Sequence, residues 1–123
     1  MSSTSPVLAS QADIDAFIDA VWLEDGLSAN TLSAYRRDLT AFAQWLEQPA
    51  ANKAAELGRP RAELESGAQT LSAAQAADIE LWFVAKHPDS RATTANRRLA
   101  SLRRFYAWAL REHYVQRDPC LAL

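Results

Sequence analysis

The chain has 123 residues, 49% hydrophobic and 23% charged, enough for one soluble domain with a single modest core and inconsistent with wholesale disorder. Three glycines are too few for an all-β chain or a Gly-rich phosphate loop. One cysteine excludes an internal disulfide, and no apolar run reaches membrane-spanning length. The opening MSSTSPVLAS lacks the basic start and apolar stretch of a signal peptide. A soluble protein of a reducing compartment, the cytoplasm, is the expectation, with no membrane partner.

Net charge is −2, but its distribution is uneven. Residues 1–87 carry 6 Lys+Arg against 12 Asp+Glu, a balance of −6, whereas residues 88–123 carry 7 against 3, a balance of +4. A polyanion responds to the local field and not to the mean. The last third is therefore a candidate anion-facing surface on an acidic body.

Along the chain, residues 1–9 read as a disordered tail. Ser10 is placed as the N-cap of a first helix to about Asp25, with Ile14, Phe17, Ile18 and Val21 as its apolar stripe. Asp13 and Asp15 fall in its first turn, where the helix dipole favours acids, and Gly26 stops it. Ser28 caps a second helix to about Glu47, with Leu32, Tyr35, Leu39, Phe42 and Leu46 on one stripe and Pro49 beyond its end. Residues 48–70 lack a sustained apolar period and read as an extended loop, with a short helical turn near Lys53–Leu57. Ser72 opens a third helix to about Lys86, burying Ile79, Trp82 and Phe83, and His87-Pro88 ends it. A fourth helix runs from about Ala92 to Glu112, with Ser90 a possible cap and Ala95, Leu99, Leu102, Tyr106, Ala109 and Leu110 facing the core. Pro119 suits an exit into a linker over residues 118–123, which leaves 10–117 as the domain. The fold class is all-α, a small bundle of about four helices.

No catalytic or metal site can be assembled, and no cofactor is implied. His87 and His113 have no second ligand at metal spacing, and Cys120 completes no cluster with them. The carboxylate pairs Asp13/Asp15 and Glu63/Glu65 are two residues apart and would diverge on a helix.

The fourth helix carries more information. With its apolar stripe turned inward, Arg97, Ser101, Arg104 and Arg111 line up near the opposite side, flanked by Thr94 and Arg98. Guanidinium groups seven residues apart stand about 10 Å apart along a helix axis, a spacing suited to successive phosphates. The planar fork of arginine donates two hydrogen bonds to one phosphate or to a guanine edge, and short hydroxyls fill between. Only Glu112 balances the stripe from within this helix. Trp108 projects near the same side and reads as an aromatic covered by a neighbouring helix. The second helix offers a smaller counterpart: Ser33 and Arg37 opposite its stripe, Arg36 beside it, and Thr31 at an N-terminus that favours anions. A solvated helix face is the competing reading of both patterns.

Two segments together resemble a known family. WLEDGLSANTLSAYRRDLTAFAQWL (Trp22–Leu46), then TTANRRLASLRRFYAWALRE (Thr93–Glu112) and DP (Asp118–Pro119), are similar to the N-terminal core-binding domain of bacterial tyrosine recombinases, the phage integrase family. The resemblance covers residues 12–46 and 71–121 and fails over 48–70, which are longer than the family pattern. It implies a helical, SAM-like domain forming half of a C-shaped clamp on double-stranded DNA at a recombination site. It also implies DNA-facing positions at Thr31, Ser33, Arg36, Arg37, Thr94, Arg97, Arg98 and Ser101; Arg104 and Arg111 come from the face pattern alone.

In the family the catalytic residues lie in a second domain, with an Arg/Lys/His-x-x-Arg/His set and a tyrosine nucleophile. Here His87 and His113 have arginines four residues on, Arg91 and Arg117, not three, and Tyr35, Tyr106 and Tyr114 match no nucleophile context. The expectation is a DNA-binding part unable to cleave DNA alone, belonging to a full-length site-specific recombinase. Such enzymes act with a related partner recombinase in a heterotetramer, resolve chromosome dimers before division, and are activated by a septal DNA translocase. A helical protein-interaction module, or the same domain of a phage or transposon integrase, are the alternatives. A helix-turn-helix regulator is disfavoured by the long break after Glu47.

Overall fold

The computed structural model describes residues 6–58, 68–86 and 91–123, with side chains from Leu8 onward. Helix α1 spans Pro6–Asp25, proline being tolerated in a first turn where its missing N–H would have no partner. It therefore starts before Ser10, and residues 6–9, expected in the tail, are helical. Ser10 is not a cap: it is buried inside α1, where its Oγ accepts a 3.0 Å hydrogen bond from Leu71 N–H. Asp13 and Asp15 accordingly lie beyond the first turn, and the dipole argument for them falls. The stripe Ile14, Phe17, Ile18 and Val21 is buried as its spacing requires, and Gly26 ends the helix at φ +61°.

Helix α2 spans Ala29–Glu47, and Ser28 Oγ accepts from Thr31 N–H at 3.2 Å, a serine N-cap. Leu39, Phe42 and Leu46 are buried, with Leu32 and Tyr35 packed against their edge. The stretch read as an extended loop contains a further helix, α3, Ala50–Leu57, which Gly58 closes in the left-handed region at φ +67°. The helical turn expected near Lys53–Leu57 is its second half; its small residues Ala50 and Ala54 bury where a long apolar stripe is missing, which is why the pattern did not show its start. Residues 59–67 of that stretch lie outside the described residues.

Ser72 does not open the next helix. Leu71–Ala73 form a 3-10 turn and α4 spans Ala76–Lys86. Asp78 sets this start: its Oδ2 accepts from Gln75 N–H at 2.8 Å, the carboxylate half of a capping box, while Oδ1 accepts from Gln69 Nε2 at 3.0 Å. The expected stop at His87-Pro88 and cap at Ser90 lie outside the described residues. Helix α5 spans Ala92–Arg111, and the following Pro119–Ala122 form a 3-10 turn. Val115, Pro119 and Cys120 are buried there, so this segment folds back onto the bundle, where a linker had been expected to depart. Asp118 caps the turn, accepting from Cys120 N–H at 2.9 Å.

The described residues thus form five α-helices around one core, with no strand among them. Aromatic rings dominate it. Phe17 meets Phe105 edge-on with centroids 5.4 Å apart, and Phe42 lies 4.9 Å from Trp82. Among the described residues no helix is long and apolar enough to cross a membrane.

Candidate nucleic-acid interface

Helices α2 and α5 carry the arginines singled out above, and the core decides how those side chains point. On α5 the buried residues are Ser101, Leu102, Phe105, Tyr106, Trp108 and Ala109. This face is rotated toward Phe105 and away from Leu99 and Leu110, the latter being 37% exposed. The rotation corrects the expected solvent stripe. Ser101 is completely buried, and its Oγ donates to Asp38 Oδ2 at 2.9 Å. Trp108 is covered as expected, stacked on Tyr114 at 4.8 Å and near Phe17.

The expectation that the arginine row lacks balancing acids fails as well, because the acids come from other helices. Arg97 grips the buried Asp38 of α2 with two hydrogen bonds, Nε to Oδ2 at 3.1 Å and Nη2 to Oδ1 at 2.8 Å. Arg104 pairs with Asp25 at the end of α1. Arg111 pairs with Glu24 at 2.9 Å and with Glu112 at 3.3 Å. On α2, Arg36 pairs with Asp15. A hydrogen bond from Arg36 holds the Asp15 carboxyl below the usual carboxylate range, and the bond to Glu24 raises Arg111 further. The four arginine side chains keep 39–56% of their surface exposed, and all the partner carboxylates but Asp38 are exposed as well, so most of the pairs are solvent-screened.

The sites do not form one row. Arg97 and Arg104 lie on the flank of α5 that meets α2 and the end of α1. Arg98 instead reaches α4, its guanidinium 5.6 Å from the Trp82 ring centre, a cation–π distance. Arg36 sits on the flank of α2 next to α1, whereas Thr31, seven residues before Asp38, shares the flank that meets α5. Thr31 Oγ1 is 3.0 Å from Ser28 Oγ, within the cap. Ser33 and Arg37 are exposed opposite the core, and Arg37 makes no ion pair among the described residues. Thr94 is half-buried in the first turn of α5.

One cation was missed. Arg103 is exposed and makes no ion pair among the described residues. With Tyr35, Asn96, Ala100, Arg104 and Ala107 it lines an open groove of about 660 Å³ between α2 and α5. The alanines at 100 and 107 on its side of the helix were the available signal: they leave the arginine uncovered.

Residues 14–61 and 54–113 match the phage integrase N-terminal SAM-like domain, in two pieces that overlap at 54–61, so the match runs through 48–70, where the resemblance was expected to fail. The tyrosine recombinase XerD of Ralstonia nicotianae is 48% identical over 106 residues, covering 86% of this chain and 29% of that protein. XerD of Proteus mirabilis is 39% identical over 113 residues, 89% of this chain and 30% of the relative, and that of Pseudomonas aeruginosa 35% over 108 residues, 88% and 30%. The chain thus spans less than a third of the length of these relatives. It belongs to the N-terminal SAM-like domain family of the phage integrases, the core-binding domain of tyrosine recombinases.

Proposed function

We propose that the chain binds duplex DNA, chiefly through phosphates, as the N-terminal half of a clamp in a XerD-like site-specific recombinase. The contacts are assigned to the α2–α5 side: Thr31, Ser33 and Arg37 from α2, and Thr94, Arg97, Arg103 and Arg104 from α5. Arg36, Arg98 and Arg111 are assigned flanking contacts, each reached only by leaving its present partner. Ser101 acts from the interior, through Asp38, and does not touch DNA. In the full-length protein a XerC-like recombinase is the partner in a heterotetramer that cuts and rejoins DNA in the cytoplasm to resolve chromosome dimers, with a septal DNA translocase as activator.

The supporting observation is the groove between α2 and α5 with arginines at its wall, in a chain similar to XerD over most of its length. Each phosphate neutralised contributes about −0.9 to the slope of log affinity against log salt. Titrating a labelled duplex at several salt concentrations should give a linear dependence, flattened by roughly one unit in Arg103→Ala. No retardation of any duplex in low salt would exclude this reading. A second reading draws on the carboxylate pairing of Arg36, Arg104 and Arg111, which suits structural ion pairs, and on Trp22 and Leu23, 60% and 79% exposed. It makes the domain a protein-interaction module, and it requires a defined partner complex that is lost on Trp22→Ala.

A further inference from the structure

We propose that Asp38 is a positioning residue, a buried carboxylate that holds the Arg97 guanidinium ready for a DNA phosphate; this rests on the DNA-binding reading above. Two of the three guanidinium nitrogens are fixed on the carboxylate, Nε at 3.1 Å and Nη2 at 2.8 Å. The carboxylate is itself held by Ser101 Oγ at 2.9 Å, and that hydroxyl is 3.1 Å from the Arg97 carbonyl one turn earlier. Asp38 is 2% exposed while the Arg97 side chain is 41% exposed. The fork is therefore clamped on its inner edge and open on its outer edge, where Nη1 makes no hydrogen bond among the described residues.

This arrangement differs in kind from the other arginine pairs. Asp15, Glu24 and Asp25 are exposed carboxylates that share solvent with the guanidinium they hold, so a phosphate arriving there competes with them. Asp38 lies behind Arg97, and the phosphate meets N–H groups that the carboxylate does not use. An arginine in solvent loses rotamer freedom when it makes a contact, whereas Arg97 has lost it already on folding. The planar fork then presents a fixed pair of donors to one phosphate, the geometry in which charge-assisted hydrogen bonds are strongest. Ser101, buried and bonded to the same carboxylate, fixes the rotamer of Asp38 in turn.

Charge arithmetic and positioning give opposite signs. Asp38 is an anion on the side assigned to DNA, so by charge alone its neutralisation strengthens binding. Positioning requires the reverse. The test is a double-mutant cycle on the 123-residue chain with Asp38→Asn and Arg97→Ala, read by fluorescence anisotropy of a labelled mixed-sequence duplex in low salt, each variant first shown folded by circular dichroism. Asp38→Asn should weaken binding about tenfold, Arg97→Ala at least as much, and the double variant no more than Arg97→Ala alone. Ser101→Ala keeps every charge and should give a smaller loss that vanishes in the Arg97→Ala background.

Binding by Asp38→Asn equal to or tighter than wild type would overturn the proposal, as would an equal loss with and without Arg97. If Asp38→Asn does not fold, the Ser101→Ala cycle decides: an Arg97-dependent loss supports the assignment, and no loss refutes it. An Arg97→Ala variant that binds as wild type refutes the positioning role while leaving the DNA-binding reading intact. A wild-type chain that binds no duplex refutes both.

Discussion

Tyr106 Oη donates a 2.7 Å hydrogen bond to the carbonyl of Leu71, whose own N–H donates to Ser10 Oγ at 3.0 Å. Both backbone polar groups of one buried residue are thus satisfied by side chains from α1 and α5, and the turn before α4 is held between them. Tyr106→Phe removes one of that carbonyl's two donors, the Ala74 N–H at 3.3 Å remaining, and should cost about 0.5–1.5 kcal/mol, whereas Ser10→Ala leaves the Leu71 N–H buried without an acceptor and should cost about 1–3 kcal/mol. Urea denaturation of each variant measures this. A change within about 0.5 kcal/mol for both would mean that the turn reaches other partners when either is lost.

His113 sits at φ +65°, the one non-glycine residue in the left-handed region among those described. It follows α5 in a Schellman arrangement: His113 N–H donates to the Leu110 carbonyl and Tyr114 N–H to that of Ala109 at 2.8 Å. A side chain with a Cβ is disfavoured there, and glycine is not. His113→Gly should raise stability by about 0.5–1 kcal/mol, read as a rise in Tm, provided that the Tyr114–Trp108 stack is kept. A fall in Tm would show that the imidazole makes a contribution larger than its backbone cost.

Much of this architecture is legible from local pattern. Ile14, Phe17, Ile18 and Val21 repeat on one face and are buried, Ser28 caps where a short hydroxyl precedes a helix, and Gly26 stops α1. The candidate interface was less legible, for two physical reasons. α5 has apolar residues on more than half of its circumference, so spacing alone permits Leu99 and Leu110 as well as Phe105 on the core face. Contact with Phe17 of α1 selects Phe105, and local periodicity contains no information about that ring. The neutralising acids are similarly remote: Asp25 and Arg104 are 79 residues apart in sequence, and Glu24 and Arg111 are 87. Counting charges within one helix missed both.

Alkaline pH should unfold the domain through two buried groups. Burial, followed by the nearby Asp118, pushes the Cys120 thiol up from its ordinary 9.0 to about 12, and burial raises the Tyr106 phenol well above its usual range. Both groups hold their protons more tightly folded than unfolded. Their stabilisation is fully present below the ordinary pKa values and is lost as pH rises through the raised ones. Tm should therefore fall as pH rises from about 9 toward 12, and Cys120→Ala should flatten the first part of that decline. The same thiol should resist alkylating reagents at neutral pH until the chain unfolds, because the thiolate is the reactive form. Rapid labelling of the folded protein would contradict the burial of this segment.

The acids of α1 should act as a brake on DNA binding. Arg104 and Asp25 are each about 40% exposed on the side chain, so an incoming phosphate and the carboxylate compete for the same guanidinium in solvent. Exposed ion pairs are weak, and the gain from removing the competitor is correspondingly modest. Asp25→Asn should tighten duplex binding about two- to fivefold in low salt, with the gain shrinking as salt screens the pair. Glu24→Gln should act in the same direction through Arg111. The contrast with Asp38→Asn is informative, since all three substitutions remove one negative charge yet are assigned opposite effects. Loss of affinity in Asp25→Asn would place Arg104 among residues that the carboxylate orients, and unchanged affinity would remove Arg104 from the DNA-contacting set.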